Sequence, residues 1–529
     1  MTLVRFVPFF LHVCLIQTTI LRFESNSKIL SEKRTEESKT IRQNSSACAS
    51  ENCFKQRCFF LMLTSENEFE QLLLSAARHG DVHTLEHYLS KIDNPSIYLN
   101  RVYEEVQMQK CSLLTIACLN GHIDVIRMLL TRFKPDLEVL NNILFGDVNA
   151  NPHLFFNVSV LWTAASNNHF EMVQLLVEHG ANVNHTTKTN STALRSACYN
   201  GNLDMARYLV EHGADAHINK ENNDTNLMVS VCHKHVHMVH YLIDELKCDV
   251  NACDNDGRSA LYDAVNCGSL ELVKVLLNHD ARNFRAVKDQ MSPLMWAAER
   301  RRSDLVEAIS VRCSPLEQIE AKELLGSAFI CGVRGDRMLD QAFDHFVRAI
   351  ELRLTYNLPK SINVSHNELF GDQQECQTVN ELENIRSNVN RMYVEALLIR
   401  ERLLGPTNVE YRYSLCYRGA ILADHGQYQE AMNYWMYELG LSQKYSIQLD
   451  AKHLRRFASL FSNMFYKTVS IPMESMITII LATINELEHH RERNFNYNLY
   501  TLLFLITITS QVRHELMIYL IRKIHSCSI

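Results

Sequence analysis

No phosphate-cradling Gly-x4-Gly-Lys-Ser/Thr loop, His-Glu-x-x-His zinc helix, Gly-x-Ser-x-Gly nucleophile elbow or kinase motif set occurs in the 529 residues. The common routes to phosphoryl transfer, metal-assisted hydrolysis and serine acylation therefore lack their residues. A long apolar run is missing too: LYTLLFLITI, at 499–508, is half the length needed to cross a bilayer and reads as a core helix. Charge excess of either sign is small. A net charge of −7, from 53 Lys+Arg and 60 Asp+Glu, does not make the basic surface that nucleic acid requires. The expectation is a chain that performs no catalysis, takes no cofactor or metal, and engages neither nucleic acid nor membrane.

Cysteine, by contrast, is plentiful. Most of the 16 cysteines fall inside apolar helical patterns, as do Cys118, Cys198, Cys232 and Cys267, where a buried free thiol acts as a small hydrophobe. That usage fits a reducing compartment, cytosolic or nuclear. The N-terminal MTLVRFVPFFLHVCLIQTTIL sets Arg5 before an apolar run like a signal-peptide core, yet Pro8, His12 and Gln17 interrupt it and no small-x-small cleavage site follows. Residues 22–60 are polar, and Cys48, Cys53 and Cys58 lack the companion histidines or second CxxC of a zinc site. Residues 1–66 read as a leader, disordered or signal-like. His233, His235, His237 and His240 alternate in a way that points them to different helix faces; only 233 and 237 share one, and the set reads as solvated surface.

The organising signal is a repeat. Leu161, Leu194, Leu227, Leu261 and Leu294, each followed three residues later by Ala164, Ala197, Ser230, Ala264 or Ala297, are spaced 33, 33, 34 and 33 apart. Leu73 with Ala76 and Leu114 with Ala117 extend the series backward at 41 and 47, one unit plus insertions of 8 and 14. A period of 33 with a (T/S)-x-L-x-x-A start resembles the ankyrin repeat, a turn followed by two antiparallel helices. About seven units fit residues 67–314. The small residue lets neighbouring first helices approach, and an apolar stripe such as Val173, Leu175 and Leu176 serves the second helix. A residue of positive φ is wanted where the first helix ends, and Gly80, Gly121, Gly201 and Gly268 supply it. Asn168 is next best there. Lys234 and Arg301 occupy the same place in the fifth and seventh units, so those turns are expected to be strained or rearranged.

Beyond residue 315 the period is lost and the pattern stays helical to 529. In YRGAILADHGQYQEAMNYW, Gly419, Gly426, Tyr428, Ala431 and Trp435 sit at tetratricopeptide packing positions, and Ala342, Phe346 and Ala349 match that repeat's second helix. Glu438 stands where alanine is expected. The fold class is all-α: an ankyrin-repeat solenoid followed by a tetratricopeptide-like helical domain.

Four stretches, NVNHTTKTNSTALRSACYNG, IEAKELLGSAF (319–329), EALLIRERLLG (395–405) and CYRGAILAD (416–424), closely resemble the sex-determination Fem (feminization) proteins over roughly residues 71–525. Those are substrate receptors of cullin-RING ubiquitin ligases. The resemblance implies a non-catalytic receptor whose ankyrin groove holds the C-terminal degron of a protein to be degraded, often one ending in arginine. Carried across, Ser191 matches a serine whose hydroxyl can donate to the peptide carboxylate, and Tyr199 stands at an aromatic position that can cover the peptide. Asn200 matches an aspartate that faces the arginine, so the charge is gone here. Phe145 to Asp147 is the counterpart of a second family acid. The family continues into further ankyrin units and a box that binds elongin and cullin, whereas this sequence runs to HELMIYLIRKIHSCSI, and the expectation is that it does not include that docking part.

Two bland readings compete. Ser191 and Thr192 fit helix capping with no ligand at all, and Asn200 fits a hydrogen-bonding residue at a helix C-terminus. At the level of function, the alternative to a ligase receptor is a non-catalytic ankyrin and helical scaffold that recruits no ligase.

Overall fold

The computed structural model describes residues 66–104, 109–145, 153–332, 338–360, 369–371, 373–447, 451–489 and 495–512. The leader expected at 1–66 lies almost wholly outside them. The chain divides into two compact units, Met1–Leu85 and Glu86–Ile529. In the first, helix α1 (Glu66–His79) buries Leu73, Leu74, Ala76 and Ala77. The next helix, α2 (Val82–Leu89), starts where the Asp81 carboxylate accepts from the Thr84 amide at 3.0 Å.

In the second unit, short helix α3 (Ser96–Leu99) leads to strands β1 (Tyr103–Glu104) and β2 (Lys110–Cys111) and the helix pair α4 (Leu113–Leu119) and α5 (Ile123–Arg132). Strands β3 (Asn141–Phe145) and β4 (His153–Val158) precede α6 (Val160–Ser166) and α7 (Phe170–Glu178). The four strands form one antiparallel sheet in the order β1-β2-β3-β4. The 8- and 14-residue insertions read from the repeat spacing thus include strands that pair with one another, Lys110 opposite Asn142. This is the departure from an all-helical chain.

The remaining repeats are α8 (Ala193–Asn200) with α9 (Leu203–Glu211), α10 (Asn226–Cys232) with α11 (Val236–His240), α12 (Ala260–Asn266) with α13 (Leu270–Asn278), and α14 (Pro293–Glu299) with α15 (Ser303–Ser310). The hydroxyl residue of the (T/S)-x-L signature has a direct physical role: Ser112, Ser159, Thr192, Thr225 and Ser292 each accept from the amide three residues on, satisfying a free N–H of the first helix. The small residues Ala117, Ala164, Ala197, Ser230, Ala264 and Ala297 are all fully buried, as close approach of first helices demands. Val173 and Leu176 are shut in beneath α7. Of the repeat cysteines, Cys118 and Cys198 are buried free thiols, whereas Cys232 is exposed and Cys267 half-buried.

The turn after each first helix keeps its left-handed residue whatever the side chain. Gly121, Gly201 and Gly268 have φ of 79°, 70° and 71°; Asn168, Lys234 and Arg301 have 60°, 60° and 57°. Stacking therefore overrides the preference of a side chain with a Cβ, and the turns are strained rather than rebuilt. Arg301 has a second task, since a Cβ at Gly332 would lie 2.8 Å from its Nη1.

Helix α16 (Pro315–Cys331) begins the helical domain with a capping box, Ser314 with Glu317. It is followed by α17 (Leu339–Tyr356), α18 (Val379–Ile385), α19 (Val389–Leu404), α20 (Val409–Asp424), α21 (Tyr428–Lys444), α22 (Ala451–Tyr466), α23 (Met473–His489) and α24 (Phe495–Val512). Two glycines set how closely the hairpins pack. Any Cβ at Gly326 would meet Phe346 of α17 at 2.7 Å, and one at Gly419 would collide with the Trp435 indole of α21. The indole Nε1 donates to the Cys416 carbonyl at 2.8 Å. Ala342, Phe346, Ala349, Tyr428, Ala431 and Trp435 are buried, as the tetratricopeptide pattern requires. Glu438, the departure from that pattern, is buried on α21 and bonded by Arg412 of α20. Helix α24 buries Leu502, Leu505 and Ile508 and exposes Tyr500, Leu503 and Phe504, so LYTLLFLITI is a half-buried helix. Among the described residues, no helix is long and apolar enough to cross a membrane.

A charge network is sealed within this domain. Arg353 grips Glu323 through Nε at 2.8 Å and Nη2 at 2.9 Å, and Arg402 bridges Glu323 at 2.8 Å to Glu375 at 2.7 Å. Lys360, 4% exposed, lies 3.3 Å from Glu375 and 3.8 Å from Glu395. Burial pushes the Glu323 carboxyl up, but Arg353, Arg402 and Lys360 outweigh it and hold the carboxyl at about 2. Arg400 reaches back to the last ankyrin unit, where Nη2 meets Glu299 at 2.6 Å.

Two outcomes follow. Lys234→Gly is expected to raise stability by roughly 1 kcal/mol in urea denaturation, because glycine removes the left-handed strain, while Arg301→Gly gains less because it also loses the contact at Gly332. Glu323→Gln should lower stability by about 3–5 kcal/mol at pH 7, the cost of leaving the buried Arg353 guanidinium without its carboxylate; a loss below about 1 kcal/mol would show that water reaches it.

Candidate functional site

The polar bend before α8 is built by backbone bonds that close on themselves. The Thr187 amide donates to the Ser191 carbonyl at 3.0 Å, and the Ser191 amide donates to Thr187 Oγ1 at 3.1 Å. Thr192 then caps α8 by accepting from the Arg195 amide at 3.2 Å. Capping thus belongs to Thr192. Ser191, though buried, does something else: its Oγ accepts from the Trp162 indole Nε1 at 3.2 Å. That leaves the hydroxyl proton with no acceptor among the described residues, held in place by an aromatic neighbour.

Trp162 stands at the start of α6 and connects the bend to the inserted hairpin. Phe155 of β4 packs on it, ring centroids 5.1 Å apart. Phe156 is 41% exposed, its carbonyl accepts from the Lys188 amide at 3.0 Å, and the Lys188 ammonium sits over its ring at 5.3 Å. Phe145 ends β3 opposite His153 of β4, so its backbone belongs to this same hairpin. Asp147 lies outside the described residues.

The far end of α8 carries the other two candidates, eight and nine residues from Ser191, or roughly 12 Å at 1.5 Å per residue. Tyr199 is 49% exposed and packs on His233, centroids 4.1 Å apart, while its carbonyl takes a bond from His235 Nε2 at 2.9 Å. Asn200 turns its Nδ2 inward to the last carbonyls of α6, Ala165 at 3.0 Å and Ser166 at 3.2 Å. Its amide therefore ties two repeats together, and its Oδ1 stays available as an acceptor. An aspartate in that rotamer would set a carboxylate against two carbonyl oxygens.

One turn after Ser191, Arg195 is buried, donating to the Asp224 carbonyl at 2.8 Å and to its Oδ2 at 2.5 Å. Trp162, Phe155 and the Arg195–Asp224 pair were missed by reading residues singly. The available signal was their column, since Trp162 and Arg195 each follow the repeat leucine by one. The four histidines do not share a helix: α10 ends at Cys232 and α11 begins at Val236. Burial, then His235, holds the His233 imidazole below its ordinary range, so the ring beside Tyr199 is neutral near pH 7. His240 and His279 both bond Asp244, at 3.1 and 2.8 Å.

Further along the groove Asp263 is the odd carboxylate. Burial first, then Asp224 and Asp254, push its carboxyl up to about 7 against the opposing pull of Arg258.

Residues 131–222 and 227–315 match the profile of ankyrin repeats in 3 copies, and residues 109–139 match that of a single ankyrin repeat. Over 431 residues the chain is 33% identical to protein fem-1 homolog A of Bos taurus, covering 73% of this chain and 64% of that protein. It is 39% identical over 395 residues to a fem-1 homolog of Drosophila melanogaster, covering 71% and 57%. With the human fem-1 homolog C the identity is 31% over 234 residues, covering 41% and 37%. The chain therefore spans less than two thirds of the length of these relatives.

A pH prediction comes from Asp263. Its folded pKa of about 7 lies above the ordinary 3.8, so the folded state holds the proton more tightly and stability is greatest below the unfolded value. It declines as pH rises from about 4 through about 7. Asp263→Asn is expected to remove most of that slope and to stabilise by a few kcal/mol at pH 8; an unchanged slope in urea midpoints between pH 5 and pH 8 would refute the assignment.

Proposed function

The chain belongs to the Fem-1 family of ankyrin-repeat proteins, and from that premise we propose that it is the substrate-recognition subunit of a cullin-RING ubiquitin ligase. Its ankyrin groove takes the C-terminal degron of a target protein, between the β3–β4 hairpin, where Phe145 ends β3, and α8, with Ser191 at the bend before it and Tyr199 and Asn200 at its far end; Asp147, two residues after Phe145 in the sequence, joins this set. One observation carries the reading: Ser191 does not cap its helix, and Trp162 fixes its Oγ by donating to it, which leaves a buried hydroxyl proton for an incoming oxygen. A peptide carboxylate is the strongest acceptor such a donor can find.

The remaining residues define how selective the groove is. Tyr199 offers an exposed ring to the peptide chain. Asn200 accepts through Oδ1 but carries no charge. A charge-assisted hydrogen bond contributes about 1.5–3 kcal/mol against about 0.5–1.5 for a neutral one, so discrimination for a terminal arginine falls by roughly tenfold relative to an aspartate there. The chain itself does no chemistry in this role; ubiquitin transfer belongs to the ligase it serves.

Binding of peptides with a free or an amidated C-terminus to the full chain tests the cradle. Amidation is expected to weaken binding about tenfold, and Ser191→Ala to erase most of that difference. Equal binding of free and amidated peptides would end the proposal. Peptide pairs ending in Arg or Gln report the part played by residue 200, and co-purification with elongin and cullin tests ligase membership separately from degron binding.

A further inference from the structure

Outside the ankyrin groove, three side chains of different chemistry converge inside the helical domain. Cys416 of α20, Glu438 of α21 and His453 of α22 bring a sulfur, a carboxylate oxygen and an imidazole nitrogen within 4.8 Å of one another. We propose that they form a site for a thiophilic divalent cation of the zinc type, stapling three successive helices.

The donor set is the first reason. Thiolate, imidazole and carboxylate are the ligands zinc selects, and three protein ligands with one open position is a common zinc arrangement. Spacing is the second. Cys416 Sγ stands 3.3 Å from His453 Nε2, about the separation of a thiolate and an imidazole on one tetrahedral zinc with bonds of roughly 2.3 and 2.1 Å.

The third reason is how Glu438 is held. Arg412 donates to Oε1 through Nε at 2.9 Å and Nη2 at 2.5 Å, and Ser442 Oγ adds a bond to the same oxygen at 3.1 Å. All three donors fall on Oε1. Oε2 faces His453 Nδ1 at 3.6 Å, beyond hydrogen-bond length, and is the oxygen free to ligate. Arg412 and Ser442 are then the outer shell that orients a ligating carboxylate. The Cys416 backbone is likewise pinned, its carbonyl accepting from Trp435 Nε1. Arg456, also beside the thiol, is the cation a metal displaces.

Cobalt(II) makes the site visible, because thiolate ligation gives a charge-transfer band that oxygen or nitrogen ligation does not. In the full chain with Cys48, Cys53 and Cys58 changed to Ser, one equivalent of cobalt is expected to bind with that band. Cys416→Ser abolishes the band, His453→Gln weakens binding at least tenfold, and Arg456→Gln tightens it. His453→Cys keeps the site and intensifies the band through a second thiolate, which guards against loss of signal by misfolding. Absence of a thiolate band in the cobalt-loaded parent, or a band that persists in Cys416→Ser, would overturn the proposal and leave the three residues as a buried hydrogen-bonded cluster.

Discussion

Three carboxylates and three cations are shut inside the helical domain, and nothing around them can be repacked without leaving one uncompensated. Glu323, Glu375 and Glu395 are met by Arg353, Arg402 and Lys360, on segments from α16 to α19. Desolvating these charges costs as much as their attraction returns, so the network contributes little net stability. Its bonds tie three helices together, because Arg353 of α17 and Arg402 of α19 both meet Glu323 of α16. Arg400 extends the constraint to the repeats by holding Glu299, the last residue of α14. The Asn408 side-chain amide adds a second tie, donating to the Asp289 carbonyl at 3.0 Å.

Two of the stretches that resemble the family carry this network. Glu323 lies in IEAKELLGSAF, and Glu395, Arg400 and Arg402 lie in EALLIRERLLG. Segments that hold matched buried charges tolerate substitution poorly, because each loss strands a partner. Arg412 and Glu438 repeat the principle on the next helix pair, where a glutamate replaces the alanine of the tetratricopeptide pattern and the pocket it fills is polar.

The groove is organised differently. Its residues are fixed by hydrogen bonds that cross from one repeat to the next: Trp162 to Ser191, Asn200 to Ala165 and Ser166, Arg195 to Asp224, His235 to Tyr199. Each repeat thus sets the side chains of its neighbour. The amide at position 200 serves the stack through its nitrogen, which donates to two carbonyls of the preceding repeat.

The repeat, its caps and its left-handed turns were legible because ankyrin units are local: a hydroxyl at the cap, a small residue five later and a positive-φ turn are features of short range in sequence. The insertions were legible as lengths, but not as a sheet, since β2 and β3 are paired across more than 30 residues by backbone bonds that no side-chain pattern encodes. Ser191 was identifiable as polar at a bend, while its freedom from capping depended on Thr192 taking that role and on Trp162, 29 residues away, supplying the indole. Glu438 looked like an error in a repeat until Arg412 and His453 stood beside it. Local stereochemistry is written residue by residue; the partner of a buried polar group is chosen only when distant helices close around it.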